Sequence, residues 1–452
     1  MNDVCRYIDD HGKESVEELF DLVRMPSVSA RRQAIQETAE HLAEKLQDLG
    51  FETRIMPKRG TGQPVLYAEA PGDSERTILV YNHYDVQPDE PLDEWETEPF
   101  EPTRRDGRIY GRGICDDKGN VMARIAALRA IKETRGSLPS RIKFLIEGDE
   151  EIGSPFFEEF VDDNRDLLKA DACLWEGSGV DPEGRPLLPL GVKGLLYVEL
   201  SCRTVARDVH SSYATVVPNP AWRLTWALST MKDEDENILI DGFYDDVRDT
   251  TDAEADAIDR MPAEEEAFAK SLELERFVLG VKGKDFRKRL YLAPSCNIDG
   301  LTAGYQGPGS KTISPGRASA KLDFRLVPDQ DPHDIERKLR RHLEKHGFED
   351  IQVETFGAEH PARTSLDKEW VAIVRDTLSS VYGKETVVVP TMAGTGPMYP
   401  VVKMLGVPTA DTGVGYIDSR IHAPNENIRE EDFMMGIKAA AAVFDAFGRW
   451  KG

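Results

Sequence analysis

The sequence has 452 residues, of which 40% are hydrophobic and 31% are charged, and its formal net charge is −25 at pH 7. This length exceeds what one hydrophobic core usually holds and suits two or three domains. The acidic charge argues against nucleic acid or an anionic membrane as a partner, and the lack of a long apolar run excludes a membrane-spanning helix.

The cysteine content and the first residues both predict a cytoplasmic location. The five cysteines are far apart in sequence and odd in number, which favours free thiols in a reducing compartment. The opening residues lack the apolar core of a signal peptide.

Helices and strands alternate through the first part of the chain. Hydrophobic periodicity predicts helices at residues 14–25, 31–49, 121–131 and 156–168, and strands at 51–56, 65–69, 77–81, 141–146 and 172–175. Ser15 and Glu18 have the spacing of a capping box, which predicts a helix start just before them. The apolar strands end in polar residues, and in an α/β sheet sites gather outside the carboxyl ends of strands.

Beyond Gly194 the pattern changes to short alternating strands and amphipathic helices. Strands are predicted at 196–202, 318–327 and 351–356, and helices at 219–231 and 331–346. The acidic stretch 233–275 is expected to be largely helical and solvated, and Trp222 and Trp226 are expected to pack inside the protein. This composition predicts an antiparallel sheet with helices on one face.

The first pattern returns after Gly357, with a helix at 367–382, a strand at 386–389, a glycine-rich turn at 393–397 and a final helix that ends at Arg449. We therefore expect one α/β domain in two parts, 1–192 and 358–452, interrupted by an inserted α+β domain, 193–357.

The strand at 141–146 runs directly into four acids, Glu147, Asp149, Glu150 and Glu151. Carboxylates this close repel each other unless positive charge lies among them. A solvated acidic turn is one reading of this stretch. The other is a site, because carboxylates bind metal ions and, beside a metal, act as general bases.

Other strand ends supply further polar residues, and together they suffice for two metal ions if one carboxylate bridges. The set consists of His83, Asp85, Asp116, Asp117, Glu150, Glu151, Glu176 and His422. Histidine and carboxylate without cysteine are typical of a catalytic site for Zn²⁺, Mn²⁺ or Co²⁺. Asp85 lies two residues after His83, so that in an extended chain it can orient the imidazole.

Five motifs in this order resemble the M20 family of di-metal peptidases. They are His83-x-Asp85, Gly111-Arg112-Gly113-x-x-Asp116-Asp117-Lys118-Gly119, Glu150-Glu151-x-Gly153-Ser154, Glu176, and His422-x-x-Asn425-Glu426. The resemblance implies an α/β, di-metal aminopeptidase-like catalytic domain with a mixed central sheet. It also implies that the inserted α+β domain is a ferredoxin-like lid and dimerisation domain.

The resemblance implies a role for each motif residue. His83 and Glu176 would bind one metal, His422 and Glu151 the other, and Asp116 would bridge them. Glu150 would be the general base, Asp85 would orient His83, and the Asp116–Asp117 peptide bond would be cis. In the inserted domain, His210 would reach the active site of a neighbouring subunit and polarise the scissile carbonyl. Thr312, Arg325 and Thr395 match positions that contact the substrate.

The predicted function is hydrolysis of a dipeptide or short peptide with a free C-terminal carboxylate, by water that bridges two divalent metals, most simply zinc, and is activated by Glu150. An N-acyl amino-acid deacylase of the acetylornithine or succinyl-diaminopimelate type uses the same chemistry and is the nearest alternative. A non-catalytic metal-binding relative is the alternative of another class. The expected partners are a small substrate and a second copy of the chain.

Overall fold

The structure is a computed structural model that describes residues 1–451. Up to the start of the insertion it contains α1 Asn2–Asp10, α2 Gly12–Val23, α3 Ile35–Asp48, β1 Glu52–Met56, β2 Val65–Ala70, β3 Thr77–His83, β4 Thr103–Arg105, β5 Arg108–Tyr110, α4 Lys118–Arg135, β6 Arg141–Glu147, α5 Phe157–Asp163, β7 Ala172–Trp175, β8 Gly179–Val180, β9 Leu187–Pro189 and β10 Gly191–Val192.

The middle of the chain contains β11 Gly194–Arg203, β12 Val209–His210, α6 Pro220–Ser229, α7 Asp252–Arg260, α8 Glu265–Ser271, α9 Gly283–Leu292, β13 Ser295–Ala303, β14 Ile313–Ser314, β15 Arg317–Leu326, α10 Pro332–Lys345 and β16 Gln352–Glu359. The last part contains β17 Ala362–Arg363, α11 Glu369–Tyr382, β18 Val387–Val389, β19 Thr409–Asp411, β20 Gly415–Tyr416, β21 Asn427–Arg429 and α12 Glu430–Arg449.

The largest sheet has the order β1-β2-β6-β3-β7-β19 and is mixed, which confirms the predicted fold class. β6, β3, β7 and β19 run parallel, whereas β1 and β2 are antiparallel to their neighbours. β3 is buried on both faces: Ile78 and Val80 pack into one hydrophobic cluster, and Leu79 and Tyr81 into another. This explains the uninterrupted apolar run in its sequence. The parallel strands bring their carboxyl ends to one edge.

A second sheet has the order β13-β15-β11-β16 and is antiparallel throughout. Helices α6 and α10 pack on it through a separate hydrophobic cluster that includes Leu224, Ile335 and Leu339. The order β11-α6-β13-β15-α10-β16 is the βαββαβ arrangement of a ferredoxin-like unit, and α7 to α9 are inserted within it. The predicted boundary at 193 precedes β11, whereas 357 lies inside β16, and the division into domains stays a prediction.

Several local predictions were wrong at the level of single elements. The N-terminal helix begins at Gly12, and a separate helix, α1, precedes it. Ser15 lies inside α2, where its hydroxyl donates to the carbonyl of His11 at 3.2 Å instead of capping. The helix predicted at 156–168 ends at Asp163, where aspartate and asparagine favour other backbone conformations.

The acidic stretch 233–275 contains only the two short helices α7 and α8, and part of it is packed rather than solvated. Ile258 and Met261 are buried against Val387 and Val389 of β18. Conversely, Trp222 and Trp226 were predicted to be packed inside the protein, but their side chains are exposed and stack on each other. Within residues 1–451, no helix has the length and hydrophobicity needed to cross a membrane.

Candidate metal centre

The carboxyl ends of β3, β6 and β7 place three of the predicted motifs at one edge of the central sheet. His83 is the last residue of β3 and lies opposite Glu147 of β6 in the parallel register. Glu150 follows β6 in a short 3₁₀ turn, and Glu176 follows β7 directly. Strand order therefore brings together residues that are up to 93 positions apart in sequence.

The loop before α4 supplies Asp116 and Asp117, and their peptide bond is cis, as expected. The carboxylate of Asp117 accepts hydrogen bonds from the side chain of Asn82 at 2.6 Å and from the backbone amide of His83 at 3.1 Å. The loop is thereby joined to the end of β3. Asp117 is thus a positioning group, whereas the Asp116 carboxylate faces the histidines.

Glu426 holds the same loop from the other side. Its buried carboxylate accepts hydrogen bonds from the backbone amides of Gly113, Cys115 and Asp116 at 2.9, 2.9 and 3.1 Å. It also pairs with the buried guanidinium of Arg112 at 2.8 Å. Glu426 therefore fixes the backbone that carries Asp116, although it contacts none of the histidines.

Four predicted ligands form a connected cluster. The Nε2 atom of His83 lies 3.0 Å from one oxygen of Asp116, and the Nε2 atom of His422 lies 3.1 Å from the other. His422 Nε2 also lies 2.9 Å from Glu151. Ligand atoms of His83, Asp116 and Glu151 all lie within 4.8 Å of one another. Asp116 thus stands between the two histidines, the position that a bridging carboxylate needs.

Asp85 contacts both His83 and the turn that contains Glu150 and Glu151. Its two carboxylate oxygens accept the backbone amides of Glu150 and Glu151 at 3.1 and 3.0 Å. One of these oxygens lies 3.4 Å from Nδ1 of His83, and the backbone carbonyl of Asp85 lies 3.1 Å from the same nitrogen. A carboxylate behind an imidazole fixes its orientation and leaves Nε2 facing the cluster.

Negative charge exceeds positive charge in this cluster. Burial, and next the negative charge of Glu176, raises the pKa of Glu150 well above its usual value. Burial also raises the pKa of Glu176. Hydrogen bonds to Asp116 and Glu151 raise the pKa of His422 to about 10. Within residues 1–451, no lysine or arginine forms a salt bridge with Asp116, Glu150, Glu151 or Glu176.

The donor set fits divalent metal ions. Imidazole nitrogens and carboxylate oxygens are the ligands of catalytic zinc and related ions, and such ions offset the mutual repulsion of buried acids. Within residues 1–451, the Oε2 atom of Glu176 is buried and has no hydrogen-bond partner. Burying a carboxylate oxygen without a hydrogen-bond donor costs free energy unless a positively charged group binds that oxygen.

The first two acids of the stretch have a different environment. The ammonium of Lys58, from the loop between β1 and β2, lies 2.6 Å from Glu147 and also pairs with Asp149. Tyr81 and Ser154 donate hydrogen bonds to Glu147 at 2.5 and 2.7 Å. Glu147 and Asp149 had no predicted role, and in the structure both carboxylates pair with Lys58.

The remaining predicted residues lie in and beside the second sheet. Arg325 of β15 donates a hydrogen bond to the hydroxyl of Thr395 at 2.6 Å, so these two come together. His210 pairs with Ile313 in the β12–β14 ladder, next to Thr312, and its imidazole bonds to Ser212. The structure thus collects His210 and Thr312 in one exposed patch, apart from the hydrogen-bonded metal-ligand cluster.

Sequence reasoning missed Lys58 and gave Glu426 no role. Glu426 could have been found, because it closes the His422-x-x-Asn425-Glu426 motif and the equally buried Arg112 belongs to another motif. Lys58 lies in a loop without any motif, and no local pattern distinguishes it from Arg59, which forms an exposed pair with Asp163.

Comparison with known proteins identifies the family. The sequence profile described as "Peptidase family M20/M25/M40" matches residues 79–446. The chain is 30% identical to a Beta-Ala-His dipeptidase of Mus musculus over 98% of this chain and 95% of the relative. It is 27% identical to a Cys-Gly metallodipeptidase of Schizosaccharomyces pombe over 97% of this chain and 96% of that protein.

The solved structures agree with this assignment. The crystal structure of an M20 family metallo-carboxypeptidase from Sulfolobus solfataricus matches with a TM-score of 0.92 and 41% sequence identity, and the match covers 97% of this chain and 100% of that one. The likeness therefore extends over the second sheet as well as the cluster of His83, Asp116, Glu151 and His422.

Proposed function

The chain belongs to peptidase family M20/M25/M40, and from this premise we propose that it hydrolyses the amide bond of a dipeptide or short peptide with a free C-terminal carboxylate. Two of the relatives are named as dipeptidases and one as a metallo-carboxypeptidase, which supports this substrate class. The single observation that carries the proposal is the His83–Asp116–Glu151 cluster with the half-buried Glu150 beside it.

His83 and Glu176 would hold one divalent ion, His422 and Glu151 would hold the other, and Asp116 would be shared between them. Zinc is the proposed ion, and manganese or cobalt would suit the same donors. When bound, such ions polarise the scissile carbonyl and lower the pKa of water. Elemental analysis of the purified protein would identify them.

Glu150 is the proposed general base. Burial and the nearby Glu176 raise its pKa, which strengthens the carboxylate as a proton acceptor near neutral pH. It takes a proton from the attacking water, whose oxygen forms the new bond to the carbonyl carbon. It then gives this proton to the leaving amine as the amide bond breaks. Asp85 supports this by holding the backbone amides of Glu150 and Glu151.

Arg325 is the proposed site for the substrate's terminal carboxylate, because a guanidinium can donate two parallel hydrogen bonds to it. Thr395, already bonded to Arg325, lies beside this position, and Thr312 is a further proposed contact. His210 is proposed to polarise the scissile carbonyl of a neighbouring subunit, which requires a homodimer through the inserted domain. A cytoplasmic location stays a prediction.

Replacing the proposed base tests the function directly. Glu150→Gln should lower kcat about 10³-fold or more and leave the metal content unchanged, since it removes only the proton acceptor. Glu75→Gln, at the opposite end of β3, is the control and should behave as the wild type. Turnover near the wild-type rate in Glu150→Gln would refute the assignment.

A substrate panel separates the proposed peptidase from a deacylase. Dipeptides should be cleaved, and N-acetyl and N-succinyl amino acids should be poor substrates; the reverse preference would favour the deacylase. For His210, mixing the inactive Glu150→Gln and His210→Ala proteins should restore activity that neither has alone. No recovery in verified mixed dimers would place His210 outside the partner's site.

A further inference from the structure

The glycine-rich turn at residues 393–397 lies beside the proposed base, Glu150, and also lines a cavity. A Cβ atom added to Gly396 would lie 3.9 Å from the carboxylate of Glu150, so this residue packs beside the base. Its neighbour Thr395 bonds to Arg325. The backbone amide of Lys193 donates to the carbonyl of Gly394 at 2.9 Å, and Ala393 lines the cavity.

This cavity has a volume of roughly 270 Å³ and an unusual charge distribution. It lies between the turn and the segment inserted before β13. Its charged lining consists of four cations and one acid, namely Lys193, Lys232, Arg289, Arg325 and Glu236. Glu236 pairs with Lys232 at 2.5 Å and lies 3.9 Å from Arg289. The Nε atom of Arg325 lies 3.3 Å from the carboxylate of Asp323, a residue that is not part of the lining.

Among the four cations of the lining, Lys193 is the one that has no carboxylate partner within residues 1–451. Its side chain is buried, with the residue 4% exposed, and the ammonium donates to the carbonyls of Leu290 and Ala293 at 2.8 and 2.6 Å. Within residues 1–451 it forms no salt bridge. Burial, and next the positive charges of Arg325 and Arg363, lowers its pKa to about 8. A buried lysine that faces cations and no carboxylate is rare, and an anion in the cavity would offset its cost.

We propose that this cavity, lined by Lys193, Lys232, Arg289 and Arg325, receives the side chain of the substrate's C-terminal residue and favours aspartate or glutamate there. The inference rests on the proposed function. One residue spans roughly 3.3–3.6 Å of chain, and Gly396 and Thr395 are adjacent, so a C-terminal residue reaches from the scissile bond beside Glu150 to Arg325. Arg325 also lines the cavity, so the cavity adjoins the position proposed for the substrate's terminal carboxylate.

The occupant is an acidic side chain rather than an apolar or basic one for an electrostatic reason. An anion among these cations gains charge-assisted hydrogen bonds, whereas a lysine side chain would add a further positive charge beside Lys193. A neutral isostere would give Lys193 no anionic partner, and its kcat/KM should therefore be lower.

Kinetics with two isosteric dipeptides, Ala-Glu and Ala-Gln, provide the test. The metal-loaded wild type should favour Ala-Glu by about tenfold or more in kcat/KM, which corresponds to about 1.4 kcal/mol. Lys232→Met and Arg289→Met should each reduce this preference several-fold, because they raise KM for Ala-Glu more than KM for Ala-Gln. Lys284→Met removes an exposed lysine from α9, the helix that carries Arg289, and is the matched control.

The outcomes separate this inference from the proposed function. If neither dipeptide is cleaved by the metal-loaded wild type, the proposed function fails. If both are cleaved at equal rates, the proposed function stands and the acidic subsite is refuted. If the variants slow Ala-Glu and Ala-Gln equally, the cavity acts on the α-carboxylate that both share, and the side-chain subsite is likewise refuted.

Discussion

The acidic stretch after β6 separates into two clusters that lie a few residues apart and differ in their counter-charges. Glu147 and Asp149 enclose the ammonium of Lys58, so the chain itself supplies one cation to this pair of acids. Glu150 and Glu151 face His83, Asp116, Glu176 and His422, and within residues 1–451 no lysine or arginine pairs with them. Removing the cation from a buried ion pair destabilises the fold, whereas acids without an internal cation leave charge for a ligand to offset.

The largest expected effect comes from removing the internal cation. Lys58→Met leaves Glu147 and Asp149 buried and unpaired, and should lower the free energy of unfolding by about 3–5 kcal/mol. Urea denaturation measures this loss. Arg59→Ala, which breaks an exposed pair with Asp163, is the control and should cost about 0–1 kcal/mol. A loss below about 1 kcal/mol in Lys58→Met would remove the distinction between the two clusters.

Metal removal acts on the other cluster. Chelation should abolish peptide hydrolysis and lower the free energy of unfolding by about 4 kcal/mol for each bound ion, relative to protein in metal at about 1,000 times Kd, because the ions bind the folded state. Differential scanning calorimetry with and without chelator checks this. An unfolding temperature that is insensitive to chelator would show that the acids need no external cation.

Glu176→Gln tests the role of the Glu176 carboxylate, whose buried Oε2 atom has no hydrogen-bond partner within residues 1–451. The proposal that Glu176 is a ligand predicts that the metal content of the purified variant falls from two ions per chain to about one, because a neutral amide binds zinc less well than a carboxylate does. The free energy of unfolding measured in chelator should change little, since Glu176 Oε2 accepts no hydrogen bond within residues 1–451. Full metal content in the variant would assign this carboxylate another role.

Asp85→Asn should have the smallest of these effects. Asp85 orients His83 and holds the acidic turn without being a proposed ligand, so its loss should weaken metal binding by about 10–100-fold. Competition with a fluorescent chelator measures the affinity. A complete loss of both ions would instead indicate that Asp85 contacts the metal directly.

The wrong sequence predictions share a cause. The amphipathic pattern of α2 does not reveal that the helix begins at Gly12, because Ser15 can bond to a carbonyl within the helix as well as cap it. Hydrophobic character also does not reveal which face of α6 is covered, and Trp222 and Trp226 lie on the uncovered face. Both outcomes depend on which neighbours pack nearby.

The sequence by itself determined the family and the mixed sheet, and it predicted a set of ligands. Apolar strands that end in a histidine or an acid predict the site, since parallel strands bring their carboxyl ends to one edge of the sheet. The motif order then distinguishes this arrangement from an unrelated acidic turn.

Only the tertiary structure decided which acids of this stretch pair with a lysine of the chain. Lys58 lies 89 residues from Glu147, and nothing in either segment specifies the other. The antiparallel pairing of β2 with β6 places the loop before β2 against the end of β6, as the register of Leu66 with Ile146 shows. Charge pairing between distant segments follows from strand order, which local patterns do not encode, and the same holds for Lys193 and its cavity.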